Sequence, residues 1–316
     1  MKTFTWLLKR EYWEHRGGFL WAPVWTTCAI LILTVMGIVT TEVFRIRGNV
    51  QMFFNLGRLH SEMDAGDIAR AGLTLDYGQL VLTSVLAVVL FFVLFFYLLG
   101  ALYDDRRDRS VLFWKSLPIS DTATVLSKTV TAMLMAPLIA LAVATVGYLA
   151  LLTLVTLWSA LHGVNALPVI AAAHPLGMAW RLLLTVPVDA LWALPCIGWL
   201  LFWSSSVRSK PFLWAVLVPV VAITLNAWFG AMGLPHIDSS TMTSNVGRLL
   251  LGIAPGAAWQ AQGFGHHGFH DGDIMEQLAP SNVLGTLATP EMWIGVAVGA
   301  ALIGAAIWFR RWRDDS

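Results

Sequence analysis

VLAVVLFFVLFFYLLGAL (Val85–Leu102) runs directly into YDDRRDRSVLFWKSLPISD (Tyr103–Asp121), and this junction decides the fold. The first stretch carries no charge over eighteen residues. A helix rises about 1.5 Å per residue, so about 20 apolar residues match a hydrocarbon core of about 30 Å. The second stretch places seven charges in the twelve residues from Asp104 to Lys115, in a chain only 12% charged. A membrane span that ends abruptly in a charged loop accounts for both.

Working outward, five more apolar runs are long enough to cross. Together the six lie at about 22–41, 80–102, 130–157, 180–203, 212–233 and 292–309. Leu161–Met178 is interrupted by Pro168 and Pro175 and reads as an interfacial or re-entrant piece. Alternating segments of about ten residues, the mark of a transmembrane β-barrel, do not occur. The sequence therefore predicts an all-α integral membrane protein, a single transmembrane domain over residues 1–316. With both termini inside, fourteen of the 20 Lys and Arg residues fall on the inner side. Arg45, Arg47, Arg58, Arg70, Arg181 and Arg248 make the outer six, a firm positive-inside bias. The charged loop is then cytoplasmic. The first apolar run is long enough to span and lacks a cleavage site after it, so no cleavable signal is expected.

Several function classes fall away. There is no G-x-x-x-x-G-K-[ST], H-E-x-x-H or G-x-S-x-G, which disfavours a self-sufficient ATPase, metalloprotease or hydrolase. Cys28 and Cys196 both sit inside predicted spans and give no disulfide framework. A net charge of +1 points to no nucleic-acid partner. His266, His267, His270, Asp271 and Asp273 lie close together in a glycine-rich outer segment. They match no defined metal motif and read as a solvated loop.

Three features remain. Residues 1–19 mix Phe4, Trp6, Leu7 and Leu8 with Lys9, Arg10, Glu11, Glu14 and Arg16. That mix suits a helix lying along the inner membrane surface, with Gly17-Gly18 as the bend into the first span, or else an ordinary charged flank. Asp189 is the clear intramembrane acid, flanked by Pro187 and Pro195. At such depth a carboxylate costs about 2.5–3.5 kcal/mol, so it must line a wet cavity, find a partner or take up a proton. Asn226 in the next span is a candidate partner. The third feature is the loop itself. Asp104, Asp105, Arg106, Arg107, Asp108 and Arg109 sum to zero, which suits a protein partner better than anionic lipid. Val111, Trp114 and Leu117 then recur every three residues, with Leu112, Phe113 and Lys115 between them, until Pro118 stops the run. This is a short amphipathic helix, fitted to a groove in another protein or to lipid headgroups. Ser120 or Asp121 can cap the next helix, which rises through Lys128.

This layout resembles the membrane-spanning permease subunit of type-2 ABC transporters. LLKREYWEHRGG (Leu7–Gly18) resembles that family's N-terminal elbow, and DDRRDRSVLFWKSLPISDTATVLSK (Asp104–Lys128) its loop after the second helix. LLLGIAPGAAWQ (Leu249–Gln260) resembles its outer segment before the last helix. The resemblance implies a cytoplasmic coupling helix within 103–129 where a separate ATPase docks, two copies per transporter. It also implies re-entrant helices within the outer segment 234–291 and a second permease, identical or different. The pathway would run between the two permeases, along the first, second and fifth spans. ATP and Mg would sit on the ATPase, with no cofactor on this chain, and the location would be a bacterial cytoplasmic membrane. A secondary transporter or channel acting alone is the alternative. It would carry several intramembrane ionisable residues or an internal repeat, where this chain has Asp189.

Overall fold

A computed structural model describes residues 2–46, 64–108, 119–163, 165–258 and 278–312, and every element among them is helical. In chain order these are α1 (Lys2–Arg16), α2 (Ala22–Ile46), α3 (Ala65–Ala101), α4 (Tyr103–Arg107), α5 (Asp121–Val130) and α6 (Ala136–Leu161). There follow α7 (Leu167–Ala172), α8 (Pro175–Ser206), α9 (Pro211–Ala231), α10 (Ser239–Leu251), α11 (Pro280–Gly285) and α12 (Pro290–Trp312). Among the described residues six helical stretches are long and apolar enough to cross a membrane, as befits a multi-pass membrane protein. Five contain an expected run whole, and the fifth stretch, Pro211–Ala231, stops two residues short of its run.

Two of those stretches are continuous across a local widening. Gly17–Trp21 forms a π-turn between α1 and α2, and Thr131–Met135 another between α5 and α6. His15 leaves helical geometry at φ −110°, ψ 18°, so the bend falls immediately before Gly17-Gly18. Pro168 and Pro175 do break the chain as expected. Both sit in the first turn of a helix, where a missing N–H leaves no orphaned carbonyl. Ser120 is the residue that caps α5, its hydroxyl accepting from the Ala123 N–H at 3.1 Å.

The chain forms two compact units. One comprises Leu20–Val89 and Ile139–Leu183. Its core holds Leu82, Leu86, Ala144, Tyr148 and Leu152, and the Tyr148 hydroxyl donates to the Leu75 carbonyl. His162 bonds Glu42 at 3.1 Å and the Trp158 carbonyl at 2.8 Å. The other unit comprises Met1–Phe19, Leu90–Leu138 and Leu184–Ser316, and contains the charged loop and Asp189. Here α8 and α12 cross at Gly198 and Gly299. A Cβ at Gly198 would stand 2.7 Å from the Gly299 carbonyl oxygen, and one at Gly299 2.5 Å from the Leu194 carbonyl carbon. Only hydrogen fits, which is how helices without a hydrophobic driving force gain contact.

Candidate functional site

The loop after α3 is fastened at its root. Leu102 breaks the helix, and the N–H groups of Leu102 and Tyr103 both donate to the Ser204 hydroxyl at 3.0 Å. Arg106 turns back and donates to the carbonyls of Ser204 at 2.6 Å and Val207 at 3.0 Å. The last carbonyls of a helix have no partner of their own, so Arg106 caps the end of α8 with positive charge.

Beside it lies a cluster of buried charges. Glu11 of α1 is fully buried and accepts from Arg10 at 2.9 Å and from the Tyr97 hydroxyl at 2.9 Å. Lys128, with a side chain 3% exposed, stands 3.3 Å from Glu11 and 3.8 Å from Asp105. Asp105 also pairs with Arg310 at 3.2 Å, and Arg310 pairs with Asp121 at 3.0 Å. The cluster holds three acids, Glu11, Asp105 and Asp121, against three bases, Arg10, Lys128 and Arg310. An unpaired ion at such burial costs several kcal/mol, so this balance is a condition of folding. Its geometry joins α1, α4, both ends of α5 and the end of α12. The segments on both sides of residues 109–118 are held by one network. His15, Phe19 and Tyr97 pack their rings around it at 4.7–5.9 Å.

Other loop and α1 residues face outward. Lys9 lies over the Trp6 ring at 4.9 Å, and Glu14 pairs with Arg10 at 3.4 Å. Asp104 and Asp108 form exposed pairs with Arg107 at 3.9 and 3.3 Å. Arg109, Val111, Leu112, Phe113, Trp114, Lys115, Leu117 and Pro118 lie outside the described residues, as do His266, His267, His270, Asp271 and Asp273. Among the described residues no group of three or more His, Cys, Asp or Glu is placed to hold a metal.

Asp189 has a different partner from the one expected. Its carboxylate accepts from the N–H groups of Gly256 at 3.0 Å and Ala258 at 3.3 Å. Gly256 has φ +84°, a left-handed conformation that suits glycine and turns successive N–H groups toward one anion. Asn226 pairs elsewhere. Its amide donates to the Ile237 carbonyl and accepts from the Ile237 N–H, both at 2.9 Å, which pins the chain after α9. Proximity in the chain order of spans suggested the Asp189–Asn226 pair; the backbone of the outer segment outcompetes it. Arg248 of α10 adds a second fastening. Its guanidinium lies 3.7 Å from the Trp192 ring centroid and donates to the Glu291 carbonyl at 2.7 Å. Burial draws the Arg248 pKa below its ordinary value. Val188, Trp192, Ala258, Val283 and Met292 close a small core around these contacts.

Two sets of buried polar contacts thus emerge, and they include Glu11, Arg10, Asp105 and Asp189, which the sequence singled out for other roles. Tyr97, Asp121, Lys128, Ser204, Arg248 and Arg310 were not singled out as partners. Lys128 and Arg310 each stand at the edge of an expected apolar run, where a cation has the inner membrane surface to itself and gives no sign of an acid partner. Comparison with known proteins returns no match to a family model, a curated protein or a solved structure.

Proposed function

We propose that this chain is the permease subunit of a type-2 ABC transporter, an export conduit that does no ATP chemistry itself. Two copies, or this chain with a second permease, enclose the path. Two ATPase subunits dock on the loops at 104–128, on the cytoplasmic side of a bacterial cytoplasmic membrane. The observation that carries the reading is the buried network of Glu11, Lys128, Asp105, Arg310 and Asp121. A loop that receives force from a partner must be stiff at its root. Here both flanks of the loop are bonded to the N-terminal helix and to the last span, so a push at residues 109–118 displaces several helices together. α1 acts as the elbow, and the segments containing α10 and α11 act as outer re-entrant pieces, fastened through Asp189 and Arg248.

The docking residues are tested by Phe113→Asp and Trp114→Asp. Each variant is expected to insert normally and to lose co-purification with a P-loop ATPase from native membranes. Retention of the ATPase by both variants contradicts the assignment.

A further inference from the structure

The buried charge network leaves a cavity of about 540 Å³ between the end of α1, with its π-turn, and the last turns of α3. That volume falls within the about 300–1,000 Å³ that holds a small ligand. Its lining joins apolar Val93 and Phe96 to Glu14, Asp104, Asp105 and Lys128, with the fully buried Phe19 behind them. Phe96 is 58% exposed and Phe92, one turn earlier, 54%. The apolar wall therefore continues onto helix surface of the kind a bilayer covers.

The charged wall is not neutral. Asp105 and Lys128 belong to the balanced network, so Glu14 and Asp104 stand in excess of it. Their partners are weak. Arg10 is 3.4 Å from Glu14 but is already bonded to Glu11 at 2.9 Å, and Arg107 is 3.9 Å from Asp104 but 3.3 Å from Asp108. Both carboxylates are about half exposed. An occupant must bring positive charge to them and an apolar chain to the phenylalanines. A primary ammonium donates three hydrogen bonds to carboxylates, and a quaternary one donates none. His15, Phe19 and Tyr97 direct their rings at one another, not into a cage for a methylated cation.

We infer that this cavity binds a membrane phospholipid with a primary ammonium headgroup, of the phosphatidylethanolamine type. The ammonium sits between Glu14 and Asp104, and an acyl chain runs along Val93 and Phe96 toward Phe92. The headgroup phosphate stays at the rim beside the exposed Arg16, chain neighbour of the lining residues His15 and Gly17. Lipid at this site is independent of the transport function proposed above.

The test is native mass spectrometry of the full chain, delipidated in detergent and offered dioleoyl phosphatidylethanolamine, dioleoyl phosphatidylcholine or dodecylamine at equal concentration. The ethanolamine lipid is expected to bind about tenfold more tightly than the choline lipid, the scale of one charge-assisted hydrogen bond. Glu14→Gln combined with Asp104→Asn changes only half-exposed side chains and should bring the two lipids level. Gly17→Leu places a side chain where an added Cβ meets nothing within 4 Å. It should exclude the lipid without altering charge. Equal binding of the two lipids by the unaltered chain, or a preference that survives the double variant, overturns the proposal. Displacement of the lipid by dodecylammonium at equal concentration assigns the site to a free amphiphilic amine and overturns the lipid assignment.

Discussion

Glu11 and Lys128 are each nearly inaccessible to solvent and neutralise each other at 3.3 Å. Removing one partner of such a pair strands the other charge, at a cost of about 3–5 kcal/mol. Glu11→Gln and Lys128→Met are each expected to lower the thermal unfolding midpoint in detergent sharply. Glu11→Leu with Lys128→Met should lie closer to the unaltered protein than the sum of the single effects, because both charges leave together. Simple additivity contradicts the pairing. Asp189 makes a second case. Asn at this position keeps one acceptor but turns an amide N–H₂ toward a backbone N–H. Asp189→Asn should weaken the outer segment by about 1–3 kcal/mol, read as faster hydrogen exchange at Gly256 and Ala258. Unchanged exchange there contradicts the contact. At this scale the sequence was legible where cost is local. A lone acid in an apolar helix announces itself, but its partner does not. Asp105 and Arg310 are 205 positions apart, and only helix packing brings them together. The long-range partners of Asp189 are backbone N–H groups, with Gly256 as their trace in the sequence.

Helices were more legible than contacts, because apolar length fixes a span without reference to its neighbours. Five expected runs lie wholly within helices and the sixth, 212–233, all but its last two residues, and Ser120 caps α5 as its position before an apolar run suggests. The ends were less legible. α3 begins at Ala65, about fifteen residues before its apolar run, since Asp67, Arg70 and Asp76 sit on an extension whose helix is satisfied by its own backbone. α10 illustrates how one residue sets an element. Asp238 accepts from the N–H groups of Ser240 at 3.0 Å and Thr241 at 3.3 Å, and from the Ser240 hydroxyl. The Ser240 hydroxyl, then those N–H groups, hold the Asp238 pKa below the ordinary carboxylate value. A depressed carboxylate stabilises above its unfolded value, about 3.9, and the contribution fades as pH falls through the lower folded value. Exchange at the first turn of α10 should thus accelerate below about pH 4. Asp238→Ala should show that acceleration at neutral pH, and Asp238→Asn should abolish the pH dependence while keeping most of the cap. Equal exchange in all three proteins contradicts the cap.

Across the whole molecule, the two features with most chemistry lie at the root of the 104–128 loop and at the outer segment around α10. Among the described residues neither holds three or more His, Cys, Asp or Glu placed for a metal. Both fasten irregular chain to long helices through buried polar contacts, which is what the force transmission proposed above requires. Composition alone pointed to a membrane protein, and the missing P-loop motif disfavoured ATP binding by this chain; the proposed division of labour with an ATPase rests on the likeness of three short stretches. The energy source is therefore the point to test. The chain is reconstituted in liposomes with any P-loop ATPase recovered with it from native membranes, and ATP hydrolysis is compared with that of the ATPase alone. Hydrolysis is expected to rise several-fold with the chain present and to return to the lower rate with Trp114→Asp. An ATPase indifferent to the chain, or solute accumulation by the chain alone on an ion gradient, contradicts the account.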